Sequence, residues 1–149
     1  MSTRCSASSR PGATPRLGAV HRTNVQVRWG ELDPYNHVNH AVYSSYLEHA
    51  RVATLESMET GMDALASSGI RIVVVRSELR FRAPATAGDE LTIATWVKDV
   101  RGATMTWSQT IDRGDTRIVD AEIDAACIRP DGRPTRIPEQ LRAAMDTVR

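Results

Sequence analysis

The stretch Arg28-Trp29-Gly30-Glu31-Leu32-Asp33-Pro34-Tyr35-Asn36-His37-Val38-Asn39-His40-Ala41-Val42-Tyr43 gathers carboxylates, imidazoles, amides and phenols between a strand-like and a helix-like segment. Loops in that position are where function tends to sit. Asn39 suits the N-cap of the helix that follows, which leaves the backbone N–H of His40 at the positive end of the helix without an intrahelical partner. Such a group can polarise a carbonyl oxygen. Asp33 precedes His40 by seven residues across a tight Asp-Pro-Tyr-Asn turn. Its carboxylate is close enough to serve the same carbonyl carbon, either attacking it or deprotonating a water. A preorganised oxyanion donor contributes roughly 3 kcal/mol, about a hundredfold in rate, and a positioned base adds a similar factor. Together they suffice for an activated acyl bond such as a thioester. Taken alone, an Asp in a Pro-containing turn is an ordinary Asx-turn residue; the surrounding pattern singles Asp33 out.

Other chemistries find less support. His37 and His40 form a His-x-x-His pair without the His-Glu-x-x-His spacing or a second cluster, so no metal is expected. There is no Gly-x-Ser-x-Gly elbow, and neither Cys5 nor Cys127 is near a histidine in sequence, so serine and cysteine hydrolases lack local support. Glu48 is an alternative catalytic carboxylate, but eight helical residues place it about 12 Å along the axis from His40. From there it serves that site only across a dimer interface, and its plainer role is an ion pair with Arg51 one turn on. Tyr43 and Tyr46, at helical spacing, are core or interface residues first. Tyr43, nearest the helix start, is also a candidate substrate contact.

These groups need elements to hold them. Val25, Val27 and Trp29 alternate with Gln26 and Arg28, which predicts a strand over 24–29 with one buried face. Residues 41–59 contain neither Gly nor Pro, and Tyr43, Tyr46, Leu47, Ala50, Thr54 and Met58 recur at helical steps. One long helix is expected, ended at Gly61, with Gly69 punctuating the approach to the next strand. Strands follow over 70–82, 90–98, 104–111 and 117–128. In the first, Val73 and Val75 lead into Ser77, Leu79 and Phe81; in the last, Val119, Ala121, Ile123, Ala125 and Cys127 face one way. Arg113-Gly114-Asp115 is a hairpin-sized turn. Pro138 can open a short terminal helix through 144. The order β-α-β-β-β-β with short connections argues for antiparallel neighbours, an α+β fold whose one helix buries its stripe on the sheet.

Composition limits the partners. The chain has 149 residues, 41% hydrophobic, with a formal net charge of +1, which fits one domain and gives no bulk reason to seek nucleic acid or acidic membrane. Two cysteines provide no disulfide framework, and no apolar run reaches the roughly 18 residues that span a bilayer. A cytoplasmic protein is expected. Residues 1–22 carry four arginines, no acid, and many small and polar residues, the composition of a flexible tail or of an organelle transit peptide. Residues 23–149 are left as the single domain.

The chain resembles the 4-hydroxybenzoyl-CoA thioesterase-like family of hotdog proteins. Its pattern reads Asp, a short turn, His-Val-Asn-Asn, then a Tyr-containing helix ending in Glu-x-x-Arg; Asp33, His37-Val38-Asn39, Tyr43, Tyr46, Glu48 and Arg51 fall on it. Two positions depart: His40 replaces the second Asn, and Asn36 replaces the Gly common before the His. The His40 contribution runs through its backbone, and Asn is the best non-glycine residue for a left-handed turn, so both are tolerable. The resemblance implies a sheet wrapped around one long central helix, with Asp33 as nucleophile or general base and the His40 N–H, beside Asn39, as oxyanion donor. It also implies a site between subunits of a homodimer or homotetramer, an acyl-CoA or acyl carrier protein thioester as substrate, and no cofactor. His37, Tyr43 and Arg101 are the candidate substrate contacts, with Arg80, Arg82 and Arg101 available to the phosphates of coenzyme A. A non-catalytic acyl-CoA-binding module and a hotdog dehydratase or hydratase are the competing readings.

Overall fold

The computed structural model describes residues 20–58 and 62–149. Five strands form one antiparallel sheet: β1 (His21–Gln26), β2 (Arg71–Phe81), β3 (Glu90–Arg101), β4 (Thr104–Arg113) and β5 (Thr116–Ile128), in spatial order β1-β3-β4-β5-β2. Three α-helices accompany it: α1 (His40–Glu56), α2 (Met62–Ser68) and α3 (Glu139–Met145).

Alternation in the chain becomes burial in the sheet. β5 buries Val119, Ala121, Ile123, Ala125 and Cys127 and leaves Asp120, Glu122 and Asp124 half-exposed. Leu91, Ile93 and Val97 of β3 and Met105, Trp107 and Ile111 of β4 are likewise buried. Trp107 sits opposite Val97 on one side and Ile123 on the other, at the centre of the sheet.

α1 presents Tyr43, Tyr46, Leu47, Ala50, Thr54 and Leu55 as its buried stripe. A buried amide tethers it to the sheet: Gln109 of β4 donates from Nε2 to the Leu47 carbonyl (3.0 Å) and to Thr95 Oγ1 (2.9 Å). Its Oε1 accepts from Arg51 Nη1 at 2.8 Å. Arg51 therefore bonds Gln109 rather than forming the expected ion pair with Glu48, because it lies on the flank of the helix that turns into the sheet. Burial lowers the Arg51 pKa, and the nearby Glu48 charge opposes that shift.

Four sequence expectations need correction. The first strand covers 21–26, not 24–29: β3 begins at Glu90, so no ladder partner exists past Gln26 except the Val27 pairing with Gly88 and Asp89. The chain then turns through a 3-10 turn, Trp29–Glu31, leaving Trp29 83% exposed instead of on the buried face. β1 thus takes in His21 and Arg22 from the stretch composition marks as tail; residues 1–19 of that stretch, with Cys5, lie outside the described residues. Second, α1 stops at Glu56, closed by Ser57 N–H to the Ala53 carbonyl, and buried Met58 follows it. The expected stop, Gly61, lies outside the described residues. α2 then occupies a segment read only as a break, since seven residues are too few to show a 3.6 period, and it ends at Gly69 with φ +72°.

Third, a bulge between Val74 and Arg76 shifts the parity of β2. Ile72, Val74, Ser77, Leu79 and Phe81 stand opposite the inward residues of β5, so Val73 and Val75 do not share a face with Leu79. Fourth, Pro138 is the N-cap of α3 and not its first helical residue.

Asn39 caps α1 as its sequence position suggests, its side chain accepting from the Ala41 N–H at 3.0 Å. Asn39→Ala is expected to lower stability by about 1 kcal/mol, and Asn39→Asp to retain most of it. Urea midpoints at constant m-value check this; equal midpoints for wild type and Asn39→Ala would deny the cap any weight.

Candidate active site

Between β1 and α1 the chain folds back on itself as a small hairpin with Asp33 near its tip. The Asn39 N–H donates to the Glu31 carbonyl (2.9 Å) and the Asp33 N–H to the His37 carbonyl (2.7 Å), with Leu32 and Val38 bridging between them. The turn closes through the Asn36 N–H to the Asp33 carbonyl at 3.0 Å. Asn36 takes a positive φ of 61°, the conformation glycine would otherwise supply. Asp33 Oδ1 accepts from the N–H groups of Tyr35 (2.8 Å) and His37 (3.1 Å), an Asx turn that orients the carboxylate. Oδ2 has no hydrogen-bond partner among the described residues.

The far arm of the hairpin is docked on the connection between β2 and β3. Val38 donates its N–H to the Ala85 carbonyl at 2.8 Å, and Thr86 Oγ1 donates to the Asn36 carbonyl at 2.9 Å. Ala85 also donates its N–H to the Tyr43 hydroxyl at 3.3 Å, so one buried residue holds both loop and helix. Beneath it, Asp89 Oδ2 accepts from the Thr86 N–H (2.9 Å) and from Arg113 Nη1 (2.8 Å). The Thr86 N–H, then the Arg113 guanidinium, hold the Asp89 carboxyl below the ordinary carboxylate range. Hydrogen bonds from Arg76 and Thr106 do the same for Asp124 on the sheet.

A carboxyl whose folded pKa is depressed adds stability above its unfolded pKa and loses it as pH falls through the folded value. The melting temperature is therefore expected to hold from neutral pH to about 4 and drop steeply below it, with Asp89→Asn reducing the drop. Thermal melts between about pH 2.5 and 7 test this, and a flat profile would contradict it.

Asp33, His37, His40 and Tyr43 line one cavity of about 350 Å³, joined by Phe81 and Arg82 from the end of β2. His40 opens α1, and its N–H donates to no group among the described residues, since the Asn39 cap takes Ala41 and the Asn39 carbonyl takes Val42. Asp33 and His40, the first residue of α1, thus border one open space. The Tyr43 ring packs on Tyr46 (6.3 Å, edge-on) and on Phe81 (5.7 Å). Burial raises the pKa of the Tyr43 hydroxyl, partly offset by the Ala85 N–H and Arg113. It is a neutral phenol, accepting one bond and retaining its own proton.

Two expected residues lie elsewhere in the chain. Glu48 borders a cavity of about 610 Å³ between α1, α2 and β2, with Arg51, Val52, Leu55 and Trp107. Arg101 ends β3 with its side chain 83% exposed, paired to Asp99 at 2.6 Å, and borders a third cavity with Arg76 and Lys98. Phe81 was not legible as a site residue: it continues the strand pattern, and only the end of β2 against α1 brings it there. Among the described residues no group of three or more His, Cys, Asp or Glu side chains is gathered as a metal would need, and no helix is long and apolar enough to cross a membrane.

A family model described as the thioesterase-like superfamily matches residues 27–145. Over 109 residues the chain is 34% identical to the long-chain acyl-CoA thioesterase FadM of Escherichia coli strain K12, covering 72% of this chain and 82% of that protein. It is 29% identical over 129 residues to the chloroplastic acyl-acyl carrier protein thioesterase ATL3 of Arabidopsis thaliana, covering 85% and 68%. Among solved structures, the probable thioesterase YbaW from Escherichia coli superposes with a TM-score of 0.77 at 30% identity, covering 85% of this chain and 97% of that one. A 1,4-dihydroxy-2-naphthoyl-CoA thioesterase from Synechocystis gives 0.78 at 18% identity, over 85% and 96%, which shows the shared fold.

Proposed function

Because the chain belongs to the thioesterase-like superfamily, with its hotdog relatives, and is a thioester hydrolase, we propose that it splits an acyl-CoA or acyl carrier protein thioester into free acid and thiol with Asp33 as its carboxylate. The observation that carries this reading is the cavity that Asp33 and His40 both border, with the His40 N–H bonded to no group among the described residues. The thioester oxygen accepts from the His40 N–H at the positive end of α1, where charge develops as the carbonyl carbon becomes tetrahedral. Asp33 Oδ2 either attacks that carbon, expelling the thiolate and leaving an acyl-aspartyl anhydride for water to open, or takes a proton from the attacking water. Oδ1, tied down by two backbone N–H groups, fixes the carboxylate's orientation in both routes.

Asn39 serves by capping α1, and His37 and Tyr43 contact the acyl or thioester group from the cavity wall. Arg82 borders the same cavity and suits the phosphates of coenzyme A, with Arg101 an alternative at greater remove. β2 is an edge strand with Val74, Val75 and Phe81 exposed, which supports pairing of two copies along it into a homodimer, or a homotetramer built from such pairs. In that assembly the pantetheine arm threads the interface, the sheet wraps α1 in each copy, and Glu48 approaches a site only from a partner. The domain begins no later than β1 at His21 and works in the cytoplasm in this reading.

Free thiol release from short, long and aromatic acyl-CoAs and from acyl carrier protein thioesters is the direct test. Release establishes hydrolysis and names the acyl class. Binding without release points instead to a binding module, and a spectral change without thiol to hydration of the acyl chain.

A further inference from the structure

Glu31 stands two residues before Asp33, at the base of the hairpin, and joins it to α1 twice. Its carbonyl accepts the Asn39 N–H at 2.9 Å, at the N-cap of the helix. Its carboxylate Oε2 accepts the Tyr46 hydroxyl at 2.5 Å and the Arg28 N–H at 2.9 Å. Tyr46 is 7% exposed, with its ring set edge-on against Tyr43 of the cavity wall. Among the described residues, the Tyr46 bond is the one hydrogen bond by which 28–33 reaches anything beyond the hairpin and its cap. The opposite arm is held separately, by Ala85 and Thr86.

From this asymmetry we infer that Glu31 is a positioning residue, whose bond to the Tyr46 hydroxyl fixes the Asp33 arm of the hairpin against α1 and so sets the spacing between the Asp33 carboxylate and the His40 N–H. This rests on the thioester hydrolysis reading of the site. Asp33 and His40 lie on opposite sides of the turn, so their spacing depends on how the first arm sits on the helix. The second arm, tied to Ala85 and Thr86, reaches the first through the Asp33 and Asn39 N–H groups, and the Glu31–Tyr46 bond adds the direct side-chain tie of the first arm to the body of α1. Burial, then the bond to Glu31, push the Tyr46 hydroxyl pKa above the ordinary tyrosine value, so the phenol keeps the proton the clamp needs.

The test compares Glu31→Ala, Glu31→Gln, Tyr46→Phe and the Glu31→Ala/Tyr46→Phe pair with wild type. Misplacement by about 1 Å costs up to a hundredfold in rate, so Glu31→Ala and Tyr46→Phe are each expected to lower kcat roughly ten- to a hundredfold with KM within about threefold. Glu31→Gln keeps an acceptor oxygen and is expected to restore kcat to within about threefold, and the pair to be no slower than the worse single variant, since both remove one bond. Amide exchange by NMR supplies a reading independent of turnover: the Asn39 N–H should exchange about tenfold faster or more in Glu31→Ala and Tyr46→Phe, but not in Glu31→Gln. Wild-type kcat in Glu31→Ala, multiplying losses in the pair, or unchanged Asn39 exchange would overturn the inference. Were wild type to release no thiol at all, the hydrolase reading would fall, and Asn39 exchange alone would decide whether the clamp exists.

Discussion

Asp33→Asn is expected to lower thiol release by about 10²- to 10⁴-fold while leaving the fold and the oligomer in place. The substitution separates the two jobs this side chain does. An amide oxygen still accepts the Tyr35 and His37 N–H groups that Oδ1 takes now, so the Asx turn and the hairpin persist. What disappears is the negative second oxygen, the only part able to attack a carbonyl carbon or accept a proton from water. The measurement is thiol release under saturating substrate, with circular dichroism and size-exclusion chromatography on the same sample. Activity within about threefold of wild type would remove Asp33 from the chemistry. Lost activity together with a collapsed melting transition would instead make it a turn residue.

The largest effect on stability is expected at Trp107. It is 1% exposed, at the centre of the sheet, between Val97 and Ile123. Trp107→Ala should cost about 3–5 kcal/mol, because it forfeits both the transfer of a large apolar surface and the contacts around the space it vacates. That space adjoins the cavity of about 610 Å³ that Trp107 already borders, and two voids that merge are harder to close by local collapse than one. Urea denaturation should show the midpoint falling at similar m-value, with a melting temperature lower by roughly 10–20 °C. A loss below about 1 kcal/mol would mean that the surrounding side chains close the gap, contrary to a packed sheet face.

The first expectation draws on what the chain displays locally, the second on packing between strands. The parity of β5 and the cap at Asn39 were legible because each depends on neighbours a few residues away: alternation has period two, and a cap needs one oxygen near one N–H. The turn after Asp33 was legible for the same reason, since Pro34 and Asn36 accept only a few backbone conformations, whereas the pairing of its two arms was not. The end of the first strand was not legible, because Trp29 continues the alternation perfectly well. Only the missing partner beyond Glu90 ends the ladder there and turns Trp29 outward.

By itself, then, the sequence determined which residues alternate, where the long helix starts, and that one short turn separates Asp33 from that start. All of these are short-range matters of backbone sterics and capping. The tertiary structure decided that β2 lies at an edge beside β5, that its bulge reverses a parity, and that Phe81 and Arg82 border the Asp33 cavity. It also decided that Arg101 and Glu48 border other cavities, that Arg51 bonds Gln109, and that Glu31 bonds Tyr46. Those contacts join residues far apart in the chain, and they form only once burial of the apolar faces brings helix and sheet together, a process that periodicity announces without specifying its partners.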